Sequence, residues 1–435
     1  MELYNLVSFA GIFILLFLAW GTGRFVFGHK GKINFHLVGW GLGLQLCFAL
    51  FIFKVPAGVT LFQGVNDLAV KILSASAKGA EFAFGPLALP PGVEGSIGFI
   101  FAFQALPTIL FFSALVAILY YYNILPVVIR QFSKLFTRLM RISGAESLCA
   151  ASNIFVGVES AFTVRPYIGE MTRSELCTIL TAGMATVASN VLALYVFTLH
   201  STFPSIAGHL ISASFLSAPA ALVVAKLFLP ETGSPKTMGQ VVDVHYLRDG
   251  NLFEAVINAA NSGLKVIFSI VALLIAVLGL VALVDLALAG AADMVNNWFG
   301  SSMEWSLRGI LGYIFYPFTL IIGIPVEDAG LVSRIIGERI ILTEVASYQD
   351  LAKALADNSL VHGRSAVVTA YALCGFAHLA SMAIFVGGVS ALAPERTSEI
   401  SAVGARALLA STFACLITAC VAGTFYTNAG ILLGN

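Results

Sequence analysis

Eight stretches of this chain contain no Asp, Glu, Lys or Arg: Leu3–Gly23, Ile33–Phe53, Gly95–Ile129, Leu176–Ala225, Val266–Val284, Gly309–Val326, Ala366–Pro394 and Ala407–Asn435. A helix crossing the hydrocarbon core of a bilayer needs about 20 apolar residues, so most of these runs hold one crossing. The 50 residues of Leu176–Ala225 hold two, with a turn near Thr198–Pro204. Open backbone cannot face lipid, and the Val, Leu, Ala and Phe content suits helices. The expectation is therefore an all-α integral membrane protein, polytopic, with about 8 transmembrane helices. Only 11% of the 435 residues are charged and 59% are hydrophobic, against roughly a quarter charged in soluble domains. The first run starts beside Glu2, without a basic region, which favours a retained helix over a cleaved signal peptide.

The same composition excludes several function classes. Formal net charge is zero, which gives no argument for nucleic acid or an acidic partner. The six cysteines (Cys47, Cys149, Cys177, Cys374, Cys415 and Cys420) lie scattered in apolar sequence and read as small buried hydrophobes. A membrane enzyme using paired carboxylates finds no metal motif or nucleophile elbow here. The reading is not an enzyme, with no organic cofactor.

Basic residues set the orientation. Arg24, His29, Lys30 and Lys32 follow the first run, and Arg130, Lys134, Arg138 and Arg141 follow the third. The second set forms one stripe of an interfacial helix at the headgroups. Both loops are expected in the cytoplasm, with the N-terminus outside. Arg308, Arg334, Arg339, Lys353 and Arg364 fit this pattern less well, because they cluster around an outer segment.

Two segments are apolar yet interrupted: Gly144–Glu170 and Arg308–Tyr348. Each is followed by an Arg-Ser pair and then an apolar helix with a small or polar break. Arg173 precedes Asn190 by 17 residues, and Arg364 precedes Ser381 by 17. The pattern reads as a re-entrant hairpin, a broken helix and a closing helix, twice over. An odd number of crossings separates the copies, so the second is inverted in the membrane. Such repeats place substrate and ion sites at the midplane, where half-helices end.

The chain resembles the concentrative nucleoside transporters from Ile33 to the C-terminus. The resemblance is carried by VGWGLGLQL (Val38–Leu46), SGAESL (Ser143–Leu148), NIFVG (Asn153–Gly157), RPYIGEMTRSEL (Arg165–Leu176) and SAPAALVVAK (Ser217–Lys226). TAYALCGFA (Thr369–Ala377) and GGVSALAPER (Gly387–Arg396) complete it. The resemblance implies a homotrimer, a scaffold of outer helices and a transport domain made of two hairpin repeats. It implies a nucleoside carried inward by a cation gradient, usually sodium, sometimes protons.

The family's site residues carry over in part. Its first hairpin tip, G-Q-[ST]-E-A-P, reads Gly157-Val158-Glu159-Ser160-Ala161-Phe162 with one residue fewer before Pro166. Glu159 keeps the ribose-binding role, and Val158 stands where a base-reading Gln is expected. The second tip reads Thr343-Glu344-Val345, which keeps the Glu and loses an Asn. In the second broken helix Phe376 and Ser381 match, while the ribose-contacting Asn is His378. The resemblance gives Glu159, Val158, Glu344, Phe376, His378 and Ser381 as substrate residues. It gives Asn153, Val156, Ser189 and Asn190 as sodium ligands.

Each residue also has a plainer role. An intramembrane carboxylate costs about 2.5–3.5 kcal/mol on insertion scales, so Glu159 and Glu344 need a function or an ion pair with Arg165, Arg339 or Arg364. Phe376 would otherwise be packing, and Ser381 a back-bonded helix serine. Gln104 would satisfy backbone, while Glu146, Arg173 and Glu175 would cap and pair. With sodium lost, the carboxylates and His378 would take protons instead.

The expected organisation is N-terminal, mainly scaffold helices over 1–141, a first repeat over 142–229, a loop and long scaffold helix over 230–290, and an inverted second repeat over 300–435. The expected function is sodium- or proton-driven import of nucleosides by alternating access, in a bacterial inner membrane, with lipid and no nucleic acid as partner. The substituted reading positions leave a non-nucleoside polar substrate as the alternative.

Overall fold

The computed structural model describes residues 3–29, 31–90, 93–245, 249–299 and 305–427, without the side chains of 158, 159, 189, 190 and 291–299. The described residues form helices and one isolated β-bridge, Ser143 to Met238. The helices are α1 (Leu3–Gly21), α2 (Phe35–Lys54), α3 (Pro56–Phe84), α4 (Phe101–Gln104), α5 (Pro107–Tyr121) and α6 (Ile124–Met140). Next come α7 (Gly144–Asn153), α8 (Arg165–Ile168), α9 (Arg173–Ala185), α10 (Ser189–Leu199), α11 (Ile206–Phe228) and α12 (Leu252–Phe299). The remainder is α13 (Leu307–Ile321), α14 (Val326–Glu338), α15 (Glu344–Ala356), α16 (Gly363–Ala372), α17 (Leu379–Leu392) and α18 (Thr397–Phe425).

Six of these segments are long and apolar enough to cross a membrane unbroken: Leu3–Val26, Phe35–Lys54, Phe101–Tyr121, Ile206–Phe228, Leu252–Gly290 and Pro394–Phe425. The broken pairs α9/α10 and α16/α17 add two more, which gives the expected eight. Burial separates inner from outer helices. The apolar windows of α11 and α18 are 89% buried, whereas that of α12 is 0% buried. α18 packs against α1, α9, α11 and α16, and α12 lies along α5 at the edge.

Both breaks fall inside the expected stretches. α9 ends at Ala185, and residues 186–188 run on without helix before α10. Thr186 turns its hydroxyl back onto the Ala182 carbonyl at 2.9 Å, satisfying one group the break frees. α16 ends at Ala372, and its terminal carbonyl accepts from Arg339 Nη1 at 2.5 Å. Arg339 is 0% exposed. A cation there complements the negative end of the half-helix.

The first hairpin has α7 as one arm and a short 3-10 turn plus α8 as the other. The second hairpin differs from the sequence expectation of Arg308–Tyr348. Its arms are α14 and α15, and α13 is a separate helix folded back against α14. Gly323, at φ 86°, makes that earlier turn, just before Pro325 opens α14. The apolar sequence of α13 gives no local sign that it lies outside the hairpin.

Buried charge ties down the base of each repeat. Capping boxes at Ser143/Glu146 and Thr172/Glu175 start α7 and α9. Lys226, from the end of α11, pairs with Glu146, donates to Ser174 Oγ at 2.8 Å and lies 3.4 Å from Glu231. In the second repeat Asp328 accepts the backbone N–H groups of Val361 and His362 at 2.8 and 3.0 Å, and the Ser365 hydroxyl at 2.5 Å. Arg364 donates to Gly323 O, Asn5 Oδ1, Tyr4 O and Ser8 Oγ. Arg396 bonds the carbonyls of Ile168 and Met171, clamping the first hairpin to the α17–α18 junction. Gln104 donates to the Leu87, Leu89 and Gly98 carbonyls, as the sequence suggested. Five cysteines are buried as expected, but Cys47 is exposed on the outward face of α2.

Lys226→Met strands the buried Glu146 carboxylate and is expected to lower stability by about 3–5 kcal/mol. Adding Glu146→Leu restores most of that loss, read as the thermal midpoint in detergent. The second expectation concerns topology. In a Cys47→Ser background, cysteines at the exposed Lys236 and Asp357 positions label from opposite membrane faces. Labelling from one face rules out the inverted repeat.

Candidate substrate site

A cavity of about 290 Å³ lies where the two hairpin tips meet the two breaks. Gly157 reaches it from the first tip, and Ala188 and Val191 from the start of α10. Thr343 and Glu344 come from the second tip, and Phe376, His378 and Ser381 from the second break. Val266, Ser269 and Ile270 of α12 close the outer side. The lining is mainly apolar; its polar side chains are Thr343, Glu344, His378 and Ser381 of the second repeat and Lys265 and Ser269 of α12.

Glu344 is the first residue of α15, behind Thr343, whose hydroxyl caps the helix by accepting from Ala346 N–H. A carboxylate in that place is favoured by the free N–H groups of the first turn. It is 4% exposed. Oε1 accepts from the Tyr195 hydroxyl at 2.6 Å. Oε2 lies 2.7 Å from His378 Nε2 but forms no aligned hydrogen bond. Glu344 therefore takes Tyr195 and His378 as neighbours, while Arg339 and Arg364 serve backbone carbonyls and α1.

His378 does two jobs. Its Nδ1 accepts from Ser381 N–H at 3.2 Å, which makes it the N-cap of α17. That bond needs a lone pair on Nδ1, so the proton sits on Nε2. Nε2 lies 2.5 Å from Ser381 Oγ, which leaves the serine's own proton free to donate. Asn, which the family resemblance places at this position, is a preferred N-cap. The imidazole keeps that function and reaches further, to Glu344. Phe376 is half-buried on the extended segment before it, a flat apolar wall of the kind aromatic ligands stack on.

Asn153 ends α7 and is 1% exposed. Its amide N–H donates to Cys149 O at 3.0 Å, while Oδ1 is buried without a partner. A buried, unfilled carbonyl oxygen at a hairpin tip suits a hard cation. Val156 is buried beside it. Glu159, Val158, Ser189 and Asn190 have their backbone in place, but their side chains lie outside the described residues. Among the described residues no group of three His, Cys, Asp or Glu could hold a metal ion.

Sequence reasoning missed Tyr195, an aromatic in an otherwise apolar helix with nothing in its spacing to mark it. It also missed the apolar walls from Ala188, Val191 and α12.

Three family profiles match in order: Na+ dependent nucleoside transporter N-terminus over 10–87, nucleoside recognition (gate) over 102–202, and Na+ dependent nucleoside transporter C-terminus over 209–423. The chain is 36% identical to an uncharacterized transporter of Haemophilus influenzae, covering 97% of both. It is 38% identical to mouse solute carrier family 28 member 3 over 96% of its own length, and it spans 58% of that longer relative. Rat sodium/nucleoside cotransporter 1 is 35% identical, with 98% of this chain and 65% of that protein covered. CNTnw in an inward-facing substrate-bound state superimposes with a TM-score of 0.86 at 32% identity, over 97% of this chain and 98% of that one. Profiles spanning both halves, relatives aligned over nearly all of this chain and a shared fold agree: the chain belongs to the concentrative nucleoside transporter family.

Proposed function

We propose that the protein is a sodium-coupled symporter that carries nucleosides across a membrane by alternating access. The observation that carries this reading is the half-satisfied Glu344. In this cavity-lining residue one carboxylate oxygen is held by Tyr195, and the other is buried with no aligned donor. A sugar hydroxyl fills such an acceptor, Ser381 offers a donor beside it, and Phe376 supplies a wall for the base. The orphan Oδ1 of Asn153 supports sodium as the coupling ion. Relatives named as sodium/nucleoside cotransporters point the same way.

The repeats over 142–229 and 300–435 form the moving unit in this reading, with Glu159 completing the site from the first tip. Ser189 and Asn190 complete the cation site. The helices over 1–141, mainly scaffold in this reading, pack on that unit through α1 on α18, α2 and α3 on α11, and α5 on α10. The bare apolar surface of α12, with Phe268, Ile275 and Leu286 exposed, supports assembly as a homotrimer in an inner membrane. A second reading, a polar substrate other than a nucleoside, is favoured by His378, which crowds Glu344 where the family has the shorter Asn.

Uptake of labelled nucleosides into proteoliposomes tests the proposal. It is expected under an inward sodium gradient and absent under a proton gradient alone. Glu344→Gln leaves a hydroxyl partner unmet, at roughly 1–3 kcal/mol, so substrate affinity falls about five- to a hundred-fold. Transport that ignores sodium, or a Glu344→Gln variant with undiminished binding, removes the reading.

His378→Asn keeps the α17 cap and removes the ring nitrogen beside Glu344 Oε2, so nucleoside affinity, measured by calorimetry at fixed sodium, is expected to rise; an unchanged affinity would make His378 a packing residue.

A further inference from the structure

We infer that Tyr195 is a positioning residue through which cation binding at the first break sets the substrate affinity of Glu344 in the second repeat; this rests on the function proposed above. Tyr195 is 1% exposed and lies behind Glu344, outside the cavity lining. Its hydroxyl donates to Glu344 Oε1 at 2.6 Å across 149 positions of sequence. Its ring lies 4.6 Å, centroid to centroid, from that of Tyr348, one turn further along α15. Tyr348 in turn donates to the Ala370 carbonyl of α16 at 2.9 Å. One side chain from the first repeat thus fixes the carboxylate, the helix that carries it and the half-helix beside it.

The helix bearing Tyr195 begins at the break. α10 starts at Ser189, after the unwound residues 186–188. Six residues at about 1.5 Å each place Tyr195 roughly 9 Å along a stiff helix from that end. A cation that orders the break fixes the start of α10, and with it the position of the Tyr195 hydroxyl. The hydroxyl then holds Oε1, leaving Oε2 for the ligand. Without it the carboxylate is free to swing onto His378 Nε2, already 2.7 Å away. The element with two arrangements is the second hairpin tip, docked on α10 or released from it. Coupling needs such an element. Because the effect is thermodynamic, substrate must tighten sodium binding by the same factor that sodium tightens substrate binding.

The test compares the parent with Tyr195→Phe, which keeps the ring stack and removes the bond. Uridine and adenosine are titrated calorimetrically in sodium and in choline at equal ionic strength. For the parent the ratio of dissociation constants is expected at about tenfold or more, within the usual range of coupling. For Tyr195→Phe it collapses towards one, with weaker binding in sodium, while thermal stability stays near the parent's. Tyr348→Phe, which loses a hydroxyl in the same stack without touching Glu344, keeps the parent's ratio. A ratio unchanged by Tyr195→Phe, or lost equally in Tyr348→Phe, overturns the inference. A readout without substrate separates this from failure of the function itself. A cysteine at the half-buried tip residue Ile341 is expected to react more slowly with maleimide when sodium is present, in the parent but not with Tyr195→Phe. Equal sodium protection in both overturns the coupling whatever the substrate proves to be.

Discussion

Within the hydrocarbon of a bilayer every backbone N–H and C=O must find a partner inside the protein, and the rest of this structure follows from where that rule is interrupted. Helices satisfy it along most of the chain. At residues 186–188 and 373–378 the ladder stops in the interior, and each stop frees groups that something else must meet. Thr186 folds back onto Ala182, Arg339 caps Ala372, and His378 caps α17.

Buried charge follows the same logic. Lys226 with Glu146, and Asp328 with the start of α16, sit at the bases of the repeats, where removing one partner would leave an uncompensated group. They hold each hairpin to its own broken helix. Arg396 holds the first hairpin to the end of the second repeat. The two repeats are joined again in the interior by the Tyr195–Glu344 bond. On the α12 side the cavity is lined by Lys265, Val266, Ser269, Ile270 and Leu273.

His378 shows how a substitution can conserve one role and change another. As a helix cap it does what Asn does, by a ring nitrogen in place of an amide oxygen. As a cavity group it places a nitrogen 2.7 Å from Glu344. The first property serves the fold, and the second sets a ring nitrogen beside the carboxylate. The sequence places His378 where the family has a ribose-contacting Asn, and the helix cap is visible only in the structure.

The sequence by itself determined the eight apolar crossings and the two broken helices, and its family resemblance picked out Glu344, Phe376, His378 and Ser381, which line one cavity. Charge-free length and the spacing of breaks are local properties, and local properties are written in consecutive residues. The boundary of the second hairpin was misplaced, because α13 is as apolar as an arm and only packing separates them. Tertiary structure alone decided that Tyr195 holds Glu344, that Arg339 caps a half-helix, and that Asn153 keeps an unfilled oxygen. Each depends on atoms brought together from distant parts of the chain. In an interior without water, a polar group's meaning is set by the partner it meets, and sequence spacing carries no record of that meeting.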